Sequence, residues 1–184
     1  MEVYLIRHTE TIVEKNVCYG HSDVLLKKPY KEEFDLISKQ INDKHSIIYS
    51  SPLKRCMILS KYLRRYNKNC QMITYDDRLK ELNFGKWELK KWGELDADLM
   101  NEWMDNFVYT KVPGGESFHQ LYKRVKNFIE TVLLQRQENE PAIIITHAGV
   151  IRSILCYAQN IPLQDAFNLS VPYGSVLKIR INEV

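Results

Sequence analysis

The chain has 184 residues, 45% of them hydrophobic and 27% charged, with a net charge of +3. These proportions belong to a folded globular chain rather than a disordered one, and the slight positive excess suits anionic ligands while falling short of a nucleic-acid binder. No apolar run approaches a bilayer span, Cys18, Cys56, Cys70 and Cys156 form no C-x-x-C pair, and no charged-then-apolar leader precedes "MEVYLIRH"; the expectation is a cytoplasmic protein without membrane association or a disulfide framework.

No repeat, low-complexity tract or linker divides the sequence, so residues 1–184 are expected to form one domain. In chain order, "VYLI" (3–6) reads as a buried strand, and residues 29–42 as an amphipathic helix. "SIIY" (46–49) is a second buried strand, followed by a helix with Ser51 as N-cap and Pro52 at its first position. A further strand falls at 71–75. Residues 85–116 carry all three tryptophans, a short helix over 93–104 and a Pro-Gly-Gly exit; they read as a lid-like excursion over the strand ends. A helix over 117–137 opens with the capping box "SFHQ". "AIII" (142–145) is a third buried strand that feeds the helix of "THAGVIRSILCYAQNIP", and "VLKIRI" (176–181) alternates as a strand at a sheet edge does. Strands alternating with helices predict an α/β three-layer sandwich, its central sheet mostly parallel.

The chemistry concentrates where the buried strands end. Open parallel sheets bind ligands at their carboxyl ends, and here those ends carry "RHT", "SSPLKR" and "THAG". Convergence of the three would gather Arg7, Arg55, His8 and His147 into a pocket for a multiply charged anion, of which phosphate fits best. Arg55, in the first turn of its helix, sits against the helix dipole unless an anion offsets it. Either histidine has the chemistry to attack phosphorus if its other ring nitrogen is held protonated. The leaving alkoxide needs an acid, for which Glu81 is the candidate. No H-E-x-x-H or clustered Cys/His pattern argues for a metal. Arg152 reads as a structural residue that orders a loop by pairing with a carboxylate, and His21, His45 and His119 as non-catalytic. "RRYNKN" (64–69) reads as the cationic end of a helix. Trp87, Trp92, Trp103 and Tyr109 either stack on an aromatic leaving group or form the excursion's own core.

"LIRHTET", "SSPLKRC", "RLKELNFGKWE", "PGGESF" and "THAGVIR" resemble, in order and context, the motifs of the histidine phosphatase superfamily, also called phosphoglycerate mutase-like. The resemblance implies His8 as nucleophile, Arg7 and Arg55 on the phosphate, His147 as the second imidazole that stabilises transferring charge, Glu81 as proton donor, and no metal or other cofactor. The family's glycine is replaced by Thr9, and its phosphate-touching asparagine falls between Glu14 and Asn16, with Asn16 taken as the phosphate ligand. "NVCYGHSDV" and the compact excursion look like the α-ribazole phosphatases, which implies a small phosphate ester, α-ribazole 5'-phosphate in cobalamin nucleotide loop assembly, as partner. A broad sugar-phosphate phosphatase, a phosphoglycerate mutase and a non-enzymatic phosphate-binding module are the alternatives.

Overall fold

A computed structural model describes residues 1–41, 47–66, 72–136 and 141–182. Expectations that touch Asn42, His45, Ser46, Cys70, Gln71, Gln137 and residues 67–69 lie outside the described residues.

The strands are β1 (Glu2–Arg7), β2 (Ile47–Ser50), β3 (Ile73–Tyr75), β4 (Ala142–Thr146) and β5 (Val176–Arg180), ordered β3-β2-β4-β1-β5 in one sheet. The first four strands in that order run parallel, and β5 adds to β1 antiparallel at the edge. Period-2 alternation divides the buried side chains between the two faces. Val3, Leu5, Ala142 and Ile144 pack into one cluster, while Tyr4, Ile6, Ile143 and Ile145 pack into the other.

Each cluster is closed by helices whose apolar stripes face the sheet. The helices α1 (Lys31–Lys39) and α2 (Lys54–Tyr66) supply Phe34, Ile37, Leu59 and Leu63 to one side. On the other side stand α4 (Phe118–Phe128) and α5 (Ala148–Gln159), which supply Leu121, Val125, Phe128, Ile151 and Ile154. The result is the expected α/β sandwich. The capping box of α4 is present, with Ser117 and Gln120 satisfying each other's backbone N–H groups, and the helix runs on into π turns at Ile129–Leu133.

Two boundaries differ from the sequence reading. Ser51 does not cap α2: the helix begins at Lys54, with the Leu53 carbonyl accepting from Cys56 and Met57, and Ser51 sits a turn earlier, accepting the Leu53 N–H. In the excursion, α3 (Ala97–Asp105) starts later than Gly93 because Asp96 takes the N–H groups of Asp98 and Leu99. The Gly93 region instead forms a short 3-10 turn, Trp92–Glu94. None of the described helices is long and apolar enough to cross a membrane.

Register brings the strand ends level. Arg7 lies opposite Thr146, and Ser50 opposite Ile145. The ladder then extends by one bond on either side of β4, from His8 N–H to the Thr146 carbonyl (3.1 Å) and from Ser51 N–H to the Ile145 carbonyl (2.9 Å). His8, Ser51 and His147 therefore leave the sheet side by side.

Candidate functional site

His8 leaves β1 only 2% exposed, and its Nδ1 lies 2.8 Å from the Thr9 carbonyl oxygen. A carbonyl only accepts, so Nδ1 carries the proton and Nε2 keeps its lone pair. Burial, then the Arg55 charge, and lastly Arg7, hold the His8 pKa well below its ordinary 6.5, against the upward pull of the Thr9 carbonyl. The imidazole is neutral at neutral pH, with a single tautomer. Thr9 itself is buried, its backbone lies outside the positive-φ set, and its methyl group lies beside Gly174. A β-branched residue is thus accommodated where the family's glycine was expected.

His147 stands edge-on to His8, with ring centroids 5.2 Å apart. Arg55 Nε donates to its Nδ1 (3.3 Å), so its Nε2 bears the proton and donates to Ser51 Oγ (2.8 Å). Both ring nitrogens thus have protein partners. Burial first, then Arg55 and His8, keep this imidazole neutral as well.

Arg55 is fully buried, and its other hydrogen bonds run to carbonyls: Nη1 donates to Ser22 (2.8 Å) and Nη2 to Gly20 (2.6 Å). Arg7 donates through Nη1 to the Val171 carbonyl (2.5 Å) and lies 3.7 Å over the Tyr173 ring, while its buried Nε has no hydrogen-bond partner among the described residues. Neither arginine is in an ion pair among the described residues. Carbonyl dipoles orient the cations and leave their charge for an anion.

Carboxylates stand one step further out. Glu81 follows β3, and its Oε1 accepts from the N–H groups of Leu82 (2.9 Å) and Gly149 (3.0 Å), which puts it beside the first turn of α5. A Cβ on Gly149 would lie 2.4 Å from that oxygen, so the glycine of "THAG" is what lets the carboxylate approach. The main chain around Glu81 is clamped by Arg124, which donates to the carbonyls of Arg78, Lys80 and Glu81 while its fork pairs with Glu116. Glu88 accepts from the Ser22 hydroxyl and the backbone N–H groups of His21, Ser22 and Phe84. Burial pushes the Glu88 pKa up, but these bonds outweigh it and hold the carboxyl below its ordinary range. Glu88 thereby shapes the turn whose Gly20 and Ser22 carbonyls grip Arg55.

The structure thus gathers Arg7, His8, Arg55 and His147 around one small volume, with Glu81 on its border. Asn16 does not join them. It is exposed, its carbonyl accepts the Trp92 N–H (2.8 Å), and among the described residues no hydrogen bond joins its side chain to the arginines or His8. Arg152 orders the loop before β5, but through the Leu169 carbonyl (3.0 Å) rather than the expected carboxylate. His21 meets Glu88 through its backbone, and His119 packs on Tyr109. Glu88, Glu116, Arg124 and the Ser51 hydroxyl went unread in the sequence; "PGGESF" contains Glu116, but its partners are separated from it along the chain.

Comparison with known proteins gives the family. The model of the histidine phosphatase superfamily (branch 1) matches residues 3–184. Phosphoserine phosphatase 1 of Hydrogenobacter thermophilus is 27% identical over 192 residues, covering 100% of this chain and 88% of its own. A second protein of that organism carries phosphoserine phosphatase in its name and is 29% identical over 188 residues, 97% of this chain and 89% of its own. Among solved structures, the α-ribazole phosphatase of Shigella flexneri superposes with a TM-score of 0.85 at 22% identity, over 100% of this chain and 92% of that one. The chain belongs to the histidine phosphatase superfamily and is a phosphatase of that type.

Two outcomes follow from the site. Gly149→Ala should lower turnover, because the added Cβ would stand 2.4 Å from Glu81 Oε1 and displace the carboxylate, and should leave stability no higher, because it would also stand 3.1 Å from the buried Leu121 side chain, which offsets alanine's better helix propensity of about 1 kcal/mol; a thermal melt with steady-state kinetics checks both. Below pH 6.5 the unfolded chain protonates His8 and His147 while the native one refuses those protons, so stability declines as pH drops under that value. Urea titrations at successive pH values should show His147→Gln losing less stability on acidification than the wild type.

Proposed function

We propose that the protein hydrolyses a small phosphomonoester through a phosphohistidine on His8. The observation that carries this reading is the imidazole held with Nδ1–H on the Thr9 carbonyl and its lone pair on Nε2, flanked by two arginines that, among the described residues, no carboxylate pairs with. In the first step Nε2 forms a bond to phosphorus and the ester P–O bond breaks. Arg7 and Arg55 bind the phosphoryl oxygens, and Glu81 gives its proton to the leaving oxygen. In the second step water attacks the phosphohistidine, Glu81 takes back a proton, and inorganic phosphate leaves with His8 restored. His147 stabilises the transferring charge through Arg55, whose Nε–H it accepts. The arginines supply the positive charge that a metal ion provides in other phosphoryl-transfer enzymes, so the reaction is metal-independent.

The substrate reading rests on the excursion. A cavity of about 750 Å³ is lined by Phe84, Trp92, Met100, Trp103, Met104 and Phe167, among others. Trp103 is also a member of the buried core, as is Trp87, so Trp103 both builds the excursion and lines the cavity, while Trp87 serves the core. Arg152 lies 5.2 Å over the Phe167 ring of this cavity. An apolar, aromatic wall suits a flat ring system better than a sugar or the zwitterion of phosphoserine. α-Ribazole 5'-phosphate, which joins a benzimidazole to a ribose phosphate, is accordingly the favoured substrate, and cobalamin nucleotide loop assembly the favoured setting.

His8→Ala should lower hydrolysis of any phosphomonoester by roughly a thousandfold or more. Glu81→Gln should slow esters with poor leaving groups far more than activated aryl phosphates, and equal losses on both would remove Glu81 as the acid. In a substrate panel, α-ribazole 5'-phosphate should exceed phosphoserine, sugar phosphates and 3-phosphoglycerate in kcat/KM by about tenfold or more, as differences of a few apolar contacts allow. A flat panel would favour a broad phosphatase, and phosphoryl transfer within 3-phosphoglycerate a mutase.

A further inference from the structure

Tyr19 and Tyr173 come from opposite parts of the chain and meet at the phosphate cluster. Tyr173 lies in the turn before β5, where Gly174 has a φ of 68° and its N–H donates to the His8 carbonyl (3.1 Å). Its ring covers Arg7 at 3.7 Å and packs on the His8 ring at 5.6 Å. Tyr19 lies in the loop after β1, between Cys18, whose N–H donates to the Lys90 carbonyl (2.9 Å), and Gly20, whose carbonyl holds Arg55. The Tyr19 ring stands 5.2 Å from the Arg55 guanidinium. The two hydroxyls are 2.7 Å apart. A pair of phenols, one ring on each arginine, therefore bridges the two cations beside the candidate nucleophile.

We propose that Tyr19 and Tyr173 are further substrate-binding residues, whose shared hydrogen bond opens when substrate arrives so that both hydroxyls donate to oxygens of the phosphoryl group. The inference rests on the reading that this group is delivered to His8. Within a phenol–phenol bond only one of the two protons lies between the partners, whereas a phosphoryl group offers three strong acceptor oxygens and takes both. Hydrogen bonds to an anion are roughly twice as strong as those between neutral groups, so the exchange favours the bound state. Burial, the leading cause, raises the Tyr19 pKa in spite of Thr11 and Arg55, so this phenol stays protonated and able to donate.

Inorganic phosphate is the probe, titrated calorimetrically into wild type, Tyr19→Phe, Tyr173→Phe and the double variant. Phenylalanine keeps each ring against its arginine and removes only the hydroxyl, and melting temperatures verify the fold. Each single change should weaken phosphate binding about tenfold, the margin between a charge-assisted and a neutral hydrogen bond, and the double more than either. KM for an aryl phosphate should rise in parallel. Phosphate affinity unchanged or tightened in the Phe variants, with wild type binding normally, overturns this inference alone. A wild type that binds no phosphate overturns it together with the reading of the pocket.

Discussion

The hydrogen bond from His8 Nδ1–H to the carbonyl of its own neighbour, Thr9, is the constraint on which the rest of the site depends. It selects one tautomer of a buried ring and leaves the opposite nitrogen as a lone pair, without spending any side chain on the task. Arg7 and Arg55 then disfavour the imidazolium by repulsion, in an environment already too dry for it. The same cations that discourage a proton attract a phosphate, so one arrangement of charge keeps the nucleophile neutral and draws its substrate.

That dual action requires the arginines to be held without being neutralised. Arg55 is oriented by the Gly20 and Ser22 carbonyls and by His147, and Arg7 by the Val171 carbonyl and the Tyr173 ring. The carboxylates that fix these loops have their own donors: Glu88 is satisfied by hydroxyl and backbone donors of the Gly20–Ser22 turn and Phe84, and Glu116 by Arg124. Gly20 is compressed against the Leu82 carbonyl, 2.0 Å from where a Cβ would stand, so the turn that holds Arg55 and the segment that carries Glu81 are locked to each other. Cation sites and acid site are positioned by one continuous set of contacts.

The sheet was legible because its strands are apolar on both faces, and a buried parallel strand has few other ways to be written. Arg7, His8, Arg55 and His147 were legible because each stands at or just beyond the carboxyl end of such a strand, and parallel strands put those ends on one side. What sequence proximity obscured was long-range pairing. Ser51 satisfied the local rule for an N-cap, yet its hydroxyl serves His147, 96 positions away. Glu88 gave no signal because most of its partners, the Ser22 hydroxyl and the N–H groups of His21 and Ser22, lie in a loop more than 60 positions earlier. Tyr173, in "VPYGS", looks like an ordinary turn residue until β5 pairs with β1 and brings it over Arg7. Asn16 was placed from the resemblance alone, without support from a strand end, and it is the site expectation that the folded loop leaves exposed, its backbone engaged by the excursion.

The central claim is a statement about one proton, and nitrogen NMR of the histidine rings reads it directly. With His8 assigned by comparison with a His8 variant, the account predicts a neutral ring at pH 7, protonated on Nδ1 and bare on Nε2, that resists protonation as the sample is taken below pH 6. A His8 ring protonated on Nε2, or charged at neutral pH, would contradict it.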